Sequence, residues 1–279
     1  MNVRKHSGEL IPFNPESLKT SLIKSGASEK EVVMVYEKIE LELYDGITTR
    51  SLYEKAFAYL KSIRGVFAAK YSLKKALRDL GPAGYYFEKW VCSLMQYLGY
   101  QSLHSQTLQG HAVKHEIDVI AIKDQEFYIA ECKLRNDVDA KISVTTPMYF
   151  LSRMKDVSNI TYSYFDKDRY ITQGWLITNA YFTKDALEFG NYYGIEMLSW
   201  DFPKGKSIKN LTDDGALYPI TCLTELSDKQ KQELLNKDII LVQTMLENKD
   251  KLQKILKNKL QLEAVLQEAA ELIVITQND

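Results

Sequence analysis

The stretch EIDVIAIKDQEFYIAECK, Glu116 to Lys133, decides how the rest of the chain is read. Ile117, Val119 and Ala121 alternate with Glu116, Asp118, Ile120 and Ile122, and Phe127, Ile129, Glu131 and Lys133 alternate with Tyr128, Ala130 and Cys132. A period of two marks strands, whose successive side chains leave on opposite faces. Lys123-Asp124-Gln125-Glu126 is the turn between them. Closed symmetrically about Asp124 and Gln125, the hairpin pairs Ile122 with Phe127, Asp118 with Glu131 and Glu116 with Lys133. Lys133 then lies one step along on the face of Glu131. Two carboxylates opposed across a ladder repel each other. Two readings account for the pair: a solvated polar face, or a cation held between the acids. Hard oxygen ligands suit Mg²⁺ or Mn²⁺, and a lysine beside a metal-bound water suits hydrolysis of a phosphodiester.

The chain has 279 residues, enough for one large domain or roughly two to three small ones. Hydrophobic residues make up 45% and charged residues 26%, the balance of a water-soluble globular protein. Net charge is −1, so binding to nucleic acid must come from a local basic patch. The three cysteines, Cys92, Cys132 and Cys222, are far apart and odd in number. That points to a reducing cytoplasm and against disulfides or a CxxC zinc site. The opening MNVRKHSGEL lacks the apolar core of a signal peptide, and no run approaches the roughly 18 apolar residues of a membrane helix. A cytoplasmic protein without a membrane segment is expected.

Residues 1–80 read as a strand hairpin followed by helices. Val3-Arg4-Lys5 and Glu9 to Phe13 flank a turn at His6-Ser7-Gly8, Pro15 opens a helix, and Ser28 to Glu31 forms a capping box. Thr49 is expected to cap a helix with Leu52, Ala56, Phe57 and Leu60, and one further helix carries Val66, Ala69, Leu73, Ala76 and Leu77. With VRKHSG at 3–8, PFNPESL at 12–18, GITT at 46–49 and AAKYSLKKA at 68–76, the segment resembles the ATP-cone, a nucleotide-binding regulatory module. The resemblance implies that Lys5, helped by Arg4, meets phosphates, that Asn14 and Thr49 contact nucleotide, and that ATP or dATP is an effector. His6, Ser7 and Ser17 depart from the family's pattern. Leu80-Gly81-Pro82-Ala83-Gly84 then reads as a hinge.

Tyr85 to Leu98 is expected to be a helix with an apolar stripe of Phe87, Val91, Leu94, Met95 and Leu98 and with Glu88 at its edge. Gln101 to Gln106 is a candidate first strand. GYYFEKWVCSLMQYLGY, HEIDVIAI, FYIAECKLRN and, later, WLITNAYFTKDALEFGNYYGIEMLSW together resemble the Mrr-type branch of the PD-(D/E)xK endonucleases over roughly 84–202. In that resemblance Glu88, Asp118, Glu131 and Lys133 are catalytic. Asp118, Glu131 and the backbone carbonyl of Cys132 hold the metal, Lys133 orients water or stabilises charge, and Glu116 assists. Ile117 stands where the name-giving proline would be. Arg135, Lys141, Arg153 and Lys155 follow closely and are candidate DNA phosphate contacts, with solvated helix positions as the alternative. Gly205-Lys206-Ser207 is not a Walker loop, because Trp200 stands where its first glycine is needed. His104, His111 and His115 lack cysteine partners and read as loop histidines rather than zinc ligands.

Residues 208–279 are rich in Leu, Lys, Gln and Glu and read as helices, with Ser227 as a cap. Around 223–246 they faintly resemble a helix-hairpin-helix module whose turn glycine is missing, and a dimerisation appendage fits as well. The expected fold class is α/β, or α+β overall. It comprises a helical ATP-cone (1–80), a restriction-endonuclease-like mixed sheet flanked by helices (84–202) and a C-terminal helical module (208–279). The expected function is a Mg²⁺- or Mn²⁺-dependent DNA endonuclease, a homo-oligomer such as a dimer, regulated by ATP or dATP. The alternative is a DNA- or nucleotide-binding regulatory scaffold without turnover.

Overall fold

The computed structural model describes residues 1–81 and 84–277. Asn2–Arg4 (β1) and Leu10–Pro12 (β2) pair antiparallel, and Ile47–Thr48 (β3) adds to β1 in parallel. Helices Pro15–Ile23 (α1) and Glu29–Glu40 (α2) start where expected. Asn14 accepts from the Ser17 N–H, and Ser28 forms its capping box with Glu31. Thr49–Ile63 (α3) corrects one expectation, since its cap is Thr48. Thr48 is extended at φ −79°, ψ 148° and its hydroxyl accepts from Ser51, whereas Thr49 is already the first helical residue. The single helix expected next is two, Gly65–Tyr71 (α4) and Leu73–Arg78 (α5). The Ser72 hydroxyl between them turns back onto the Ala69 carbonyl, a local bond that competes with continuing the helix.

The described residues divide into two units by their contacts: Met1–Ala76 with the stretch from Tyr218 on, and Leu77–Leu217. Pro82 and Ala83, in the middle of the expected hinge, lie outside the described residues. The second unit opens with Tyr85–Tyr97 (α6), then Gln101–Gln109 (β4), Lys114–Lys123 (β5) and Glu126–Lys133 (β6). Lys141–Ile142 (β7), Thr145–Val157 (α7), Thr161–Tyr164 (β8), Lys167–Tyr170 (β9) and Gln173–Thr178 (β10) follow. Tyr181–Phe182 (β11), Lys184–Tyr192 (α8), Glu196–Leu198 (β12) and Ile208–Asp214 (α9) complete it.

Its main sheet runs β12-β10-β6-β5-β4. β4, β5 and β6 are antiparallel neighbours, while β6, β10 and β12 run parallel, joined through α7 and α8. The mixed α/β architecture expected from the sequence is therefore present. On one face Ile120, Ile122, Phe127, Ile129, Phe150, Leu176 and Met197 pack into a core. Val119 and Ala121 are buried too, so β5 is covered on both faces and reads as a nearly unbroken apolar run. α6 contributes Phe87, Trp90, Val91, Leu94 and Met95, all fully buried. The Trp90 indole N–H donates to the Leu217 carbonyl at 2.8 Å.

In the first unit Val32, Val35, Ile39, Ala56, Leu60 and Ala69 are core residues. The C-terminal stretch supplies Asp228–Leu235 (α10), Val242–Glu247 (α11), Lys249–Ile255 (α12) and Lys259–Gln277 (α13), with Ser227 capping α10 as expected. α13 packs on α4, and the Arg64 side chain pairs with Glu271 at 2.8 Å.

Candidate active site

The β5–β6 ladder is regular at its closed end, pairing Lys123 with Glu126, Ile122 with Phe127 and so on to Val119 with Ala130. The next step would bring Asp118 opposite Glu131, and there the pairing ends. Asp118 Oδ2 instead accepts the Cys132 N–H at 2.7 Å. β6 stays fixed from its other side, with Leu176 of β10 beside Glu131 and Thr178 beside Lys133. The β4–β5 ladder also skips a pair at this level. His104 pairs with Val119 and Gln106 with Ile117, while Ser105 between them takes φ +52°. Both neighbours of β5 therefore loosen at Asp118. The Ser105 hydroxyl is 3.4 Å from Glu88 Oε2, which brings the first-turn acid of α6 into the group.

Glu131 is 2% exposed and fully ion-paired. Its Oε1 meets the Lys133 ammonium and its Oε2 meets Arg153 Nη1 at 2.5 Å. That arginine comes from α7, which lies close on the sheet because Gly174 of β10 has no side chain. A Cβ there would stand 2.4 Å from Met154 Sδ and 2.8 Å from the Phe150 ring. Arg153 Nη1 also donates to the Glu116 carbonyl at 3.0 Å, and Nη2 lies 3.3 Å from the Tyr149 hydroxyl.

Burial, and then the charge of Asp118, pushes the Glu88 carboxyl up to about 7. Burial, and then Glu131, pushes Asp118 up to about 6, against the lowering effect of the Cys132 N–H and the two cations. These acids carry more negative charge than Lys133 and Arg153 neutralise. Burial first, and then Asp118, raises the Cys132 thiol well above its ordinary range, so its sulfur is no thiolate ligand. Among the described residues no three His, Cys, Asp or Glu side chains form a ready-made metal shell. The donor set nonetheless fits a hard divalent ion in chemistry, as buried and half-buried oxygen ligands under mutual repulsion that such an ion would relieve.

The fold thus brings Glu88, Asp118, Glu131 and Lys133 together and leaves Glu116 exposed. Arg135, Lys141 and Lys155 are exposed, while Arg153 is drawn inward onto Glu131. The sequence signal for that placement is slight: Tyr149 and Arg153 share a helix face at i, i+4. The sequence carries no signal for Ser105, because nothing in a polar strand singles it out. In the first unit Arg4 is exposed at the end of β1, Lys5 pairs with Glu9 at 2.9 Å, Asn14 is engaged in its cap, and Thr49 is exposed. Of the three histidines only His111 lies in a loop, where it meets the Ser158 carbonyl at 2.9 Å; His104 is on β4, and His115 is on β5 and binds Asp156 at 2.7 Å, which corrects the loop reading for those two.

Residues 82–201 match the restriction endonuclease family model, and residues 218–273 match the AF1548-like C-terminal model. An uncharacterized protein of Archaeoglobus fulgidus is 28% identical over 184 residues, which is 66% of this chain and 99% of that protein. The crystal structure of a protein of unknown function, AF1548, superposes with a TM-score of 0.56 at 27% identity, covering 69% of this chain and 98% of that one. The Leu77–Leu217 unit therefore carries a restriction-endonuclease-like domain. Among the described residues, no helix is long and apolar enough to cross a membrane.

Proposed function

We propose that the protein is a metal-dependent DNA endonuclease. The observation that carries this reading is the opened ladder. β5 and β6 part at Asp118 and Glu131 inside a restriction-endonuclease-like domain, with Lys133 one step along and Glu88 beside them. Asp118, Glu131 and the Cys132 carbonyl would hold Mg²⁺ or Mn²⁺, which when bound lowers the pKa of a water and stabilises phosphoryl charge. Lys133 is fixed through β10 and presents an ammonium to a phosphate oxygen or to the attacking water. Glu88 adds negative charge at the edge of the site. The exposed cations Arg135, Lys141 and Lys155 would meet flanking phosphates, which position the strand without reading its sequence. In the first unit Arg4 and Lys5 would hold the phosphates of ATP or dATP beside Asn14 and Thr49 and so regulate cleavage.

The test is relaxation and linearisation of plasmid DNA with Mg²⁺ or Mn²⁺, comparing wild type with Asp118→Ala and Lys133→Ala. Loss of cleavage in both variants is expected. Equal activity in all three ends the assignment. Calorimetric titration of the full chain with ATP and dATP tests the regulatory part separately.

A further inference from the structure

We propose that Arg153 occupies the Glu131 carboxylate in the ion-free protein and yields it when a divalent cation enters, its guanidinium then turning to the substrate phosphate. This rests on the nuclease reading above and adds a step to it.

Both Glu131 oxygens are engaged by cations, and the two cations are held differently. Lys133 belongs to β6, whose backbone is fixed to β10 at Thr178. Arg153 reaches in from a different element, α7, on a long side chain. Its Nη1 is divided between Glu131 and the Glu116 carbonyl, and its contact with Tyr149 is long at 3.3 Å. Its Nε is buried without a partner. A guanidinium settled for good in a buried site satisfies its donors, and an orphaned N–H there is costly. A divalent ion on Glu131 Oε2 would also stand almost against the guanidinium. Like charges that close in a half-desolvated site repel strongly, so the two occupants compete for one oxygen.

There is a place for the arginine to go. The Tyr149 ring, 60% exposed, already lies with its centroid 5.2 Å from the guanidinium carbon, so the side chain keeps a cation–π contact on its solvent side as it leaves the carboxylate. From there the planar fork suits a phosphate with two parallel hydrogen bonds. The competing account is that Arg153 is a permanent staple that orients Glu131 for the metal. The two accounts predict opposite signs for one measurement, because removing a competitor tightens metal binding and removing a staple weakens it.

The experiment is Mn²⁺ titration of the full-length protein without DNA, by calorimetry and by the electron paramagnetic resonance of free Mn²⁺. Wild type is compared with Arg153→Gln, Arg153→Lys and Asp118→Asn, with the circular dichroism melt of each as the folding control. Arg153→Gln should bind Mn²⁺ roughly tenfold more tightly than wild type, an ordinary size for coupling between two occupants. It should also cleave plasmid DNA at least about tenfold more slowly at saturating Mn²⁺, as loss of a phosphate contact requires. Arg153→Lys keeps the charge and serves if the glutamine variant does not fold. It should tighten binding by a smaller factor, because lysine lacks the fork that grips the carboxylate. Equal or weaker binding by a folded Arg153 variant overturns the exchange. If Asp118→Asn still abolishes binding in that case, the nuclease reading stands without it. Absence of Mn²⁺ binding in wild type and Arg153 variants alike overturns both.

Discussion

Glu131 and Glu268 are both buried glutamates, 2% and 5% exposed, and they are held in opposite ways. Among the described residues Glu268 of α13 is met by neutral donors: the Thr224 N–H at 2.9 Å, the Thr224 hydroxyl at 2.7 Å and the Glu225 N–H at 3.1 Å. The two N–H groups are fixed by the backbone, and only the Thr224 hydroxyl can turn elsewhere, to the Glu225 carboxylate at 3.5 Å. Glu131 is met by two side-chain cations, next to two further acids whose protons are held too tightly for free carboxyls. A buried carboxylate satisfied by backbone N–H groups ties a loop to a helix. One satisfied by exchangeable cations and crowded by other acids keeps its charge available to a ligand, and perturbed acids of that kind gather at functional sites.

The largest expected effect falls on the Glu131 side of this contrast. Asp118→Asn keeps an oxygen to accept the Cys132 N–H but removes the charge. Cleavage should fall by about 10³-fold or more, the equivalent of the several kcal/mol a metal ion contributes to such a transition state. The urea midpoint of the ion-free variant at pH 7.5 should equal or exceed that of wild type, because a repelled buried charge has been taken away. A loss of stability to match the loss of activity would place Asp118 with Glu268 among structural acids.

Glu268→Ala should behave in the opposite manner. It strands the Thr224 and Glu225 N–H groups, and a loss of about 2–4 kcal/mol is expected from the urea transition of the first unit. Glutamine is no rescue there, since its amide would point a donor at a donor. The exposed Arg64–Glu271 pair is the calibration: Arg64→Ala should cost less than about 1 kcal/mol. If the two variants cost the same, the neutral hydrogen bonds to Glu268 are not what holds that loop.

The Glu131 side of this contrast was legible in the residues, and each part that was not has its own cause. The strand period and two-residue turn placed Ile122 against Phe127 and carried the register toward Asp118 and Glu131. Helix starts written as side-chain caps, at Ser28 and Ser227, were legible for the same local reason. The β8–β9 hairpin was not. Its turn, Phe165-Asp166, takes φ +52° and +59° without the Asn-Gly or Asp-Gly that announces such a turn. Nor was the inward path of Arg153. It depends on a missing Cβ at Gly174, a strand away and distant in sequence, and no local pattern records such a contact. Thr48 and Thr49 differ by one step at a helix end, where neighbouring threonines offer the same hydroxyl to the same donors.

The smallest effect is the one that reads the crowding of the acids directly. Glu88 is raised from 4.5 to about 7 and Asp118 from 3.8 to about 6 in the folded protein. Between those values the folded state binds more protons than the unfolded chain. Stability therefore falls as pH rises from about 4 to about 7, and levels off above. Carboxyls lowered by their partners, such as Asp156 and Glu271, contribute in the other direction but below about pH 4.5. The window from pH 5 to 7.5 keeps the crowded pair clear of those lowered carboxyls. With solvent screening allowed for, the loss across it should be about 1 kcal/mol, shared between two acids that titrate together. Urea midpoints in chelator at the two pH values measure it. Glu88→Gln should flatten the profile, and millimolar Mg²⁺ should do so in the wild type by neutralising the same charge. A profile that instead rises through this window would mean that the acids are compensated as fully as Glu268, and the difference between the two glutamates would lose its chemical meaning.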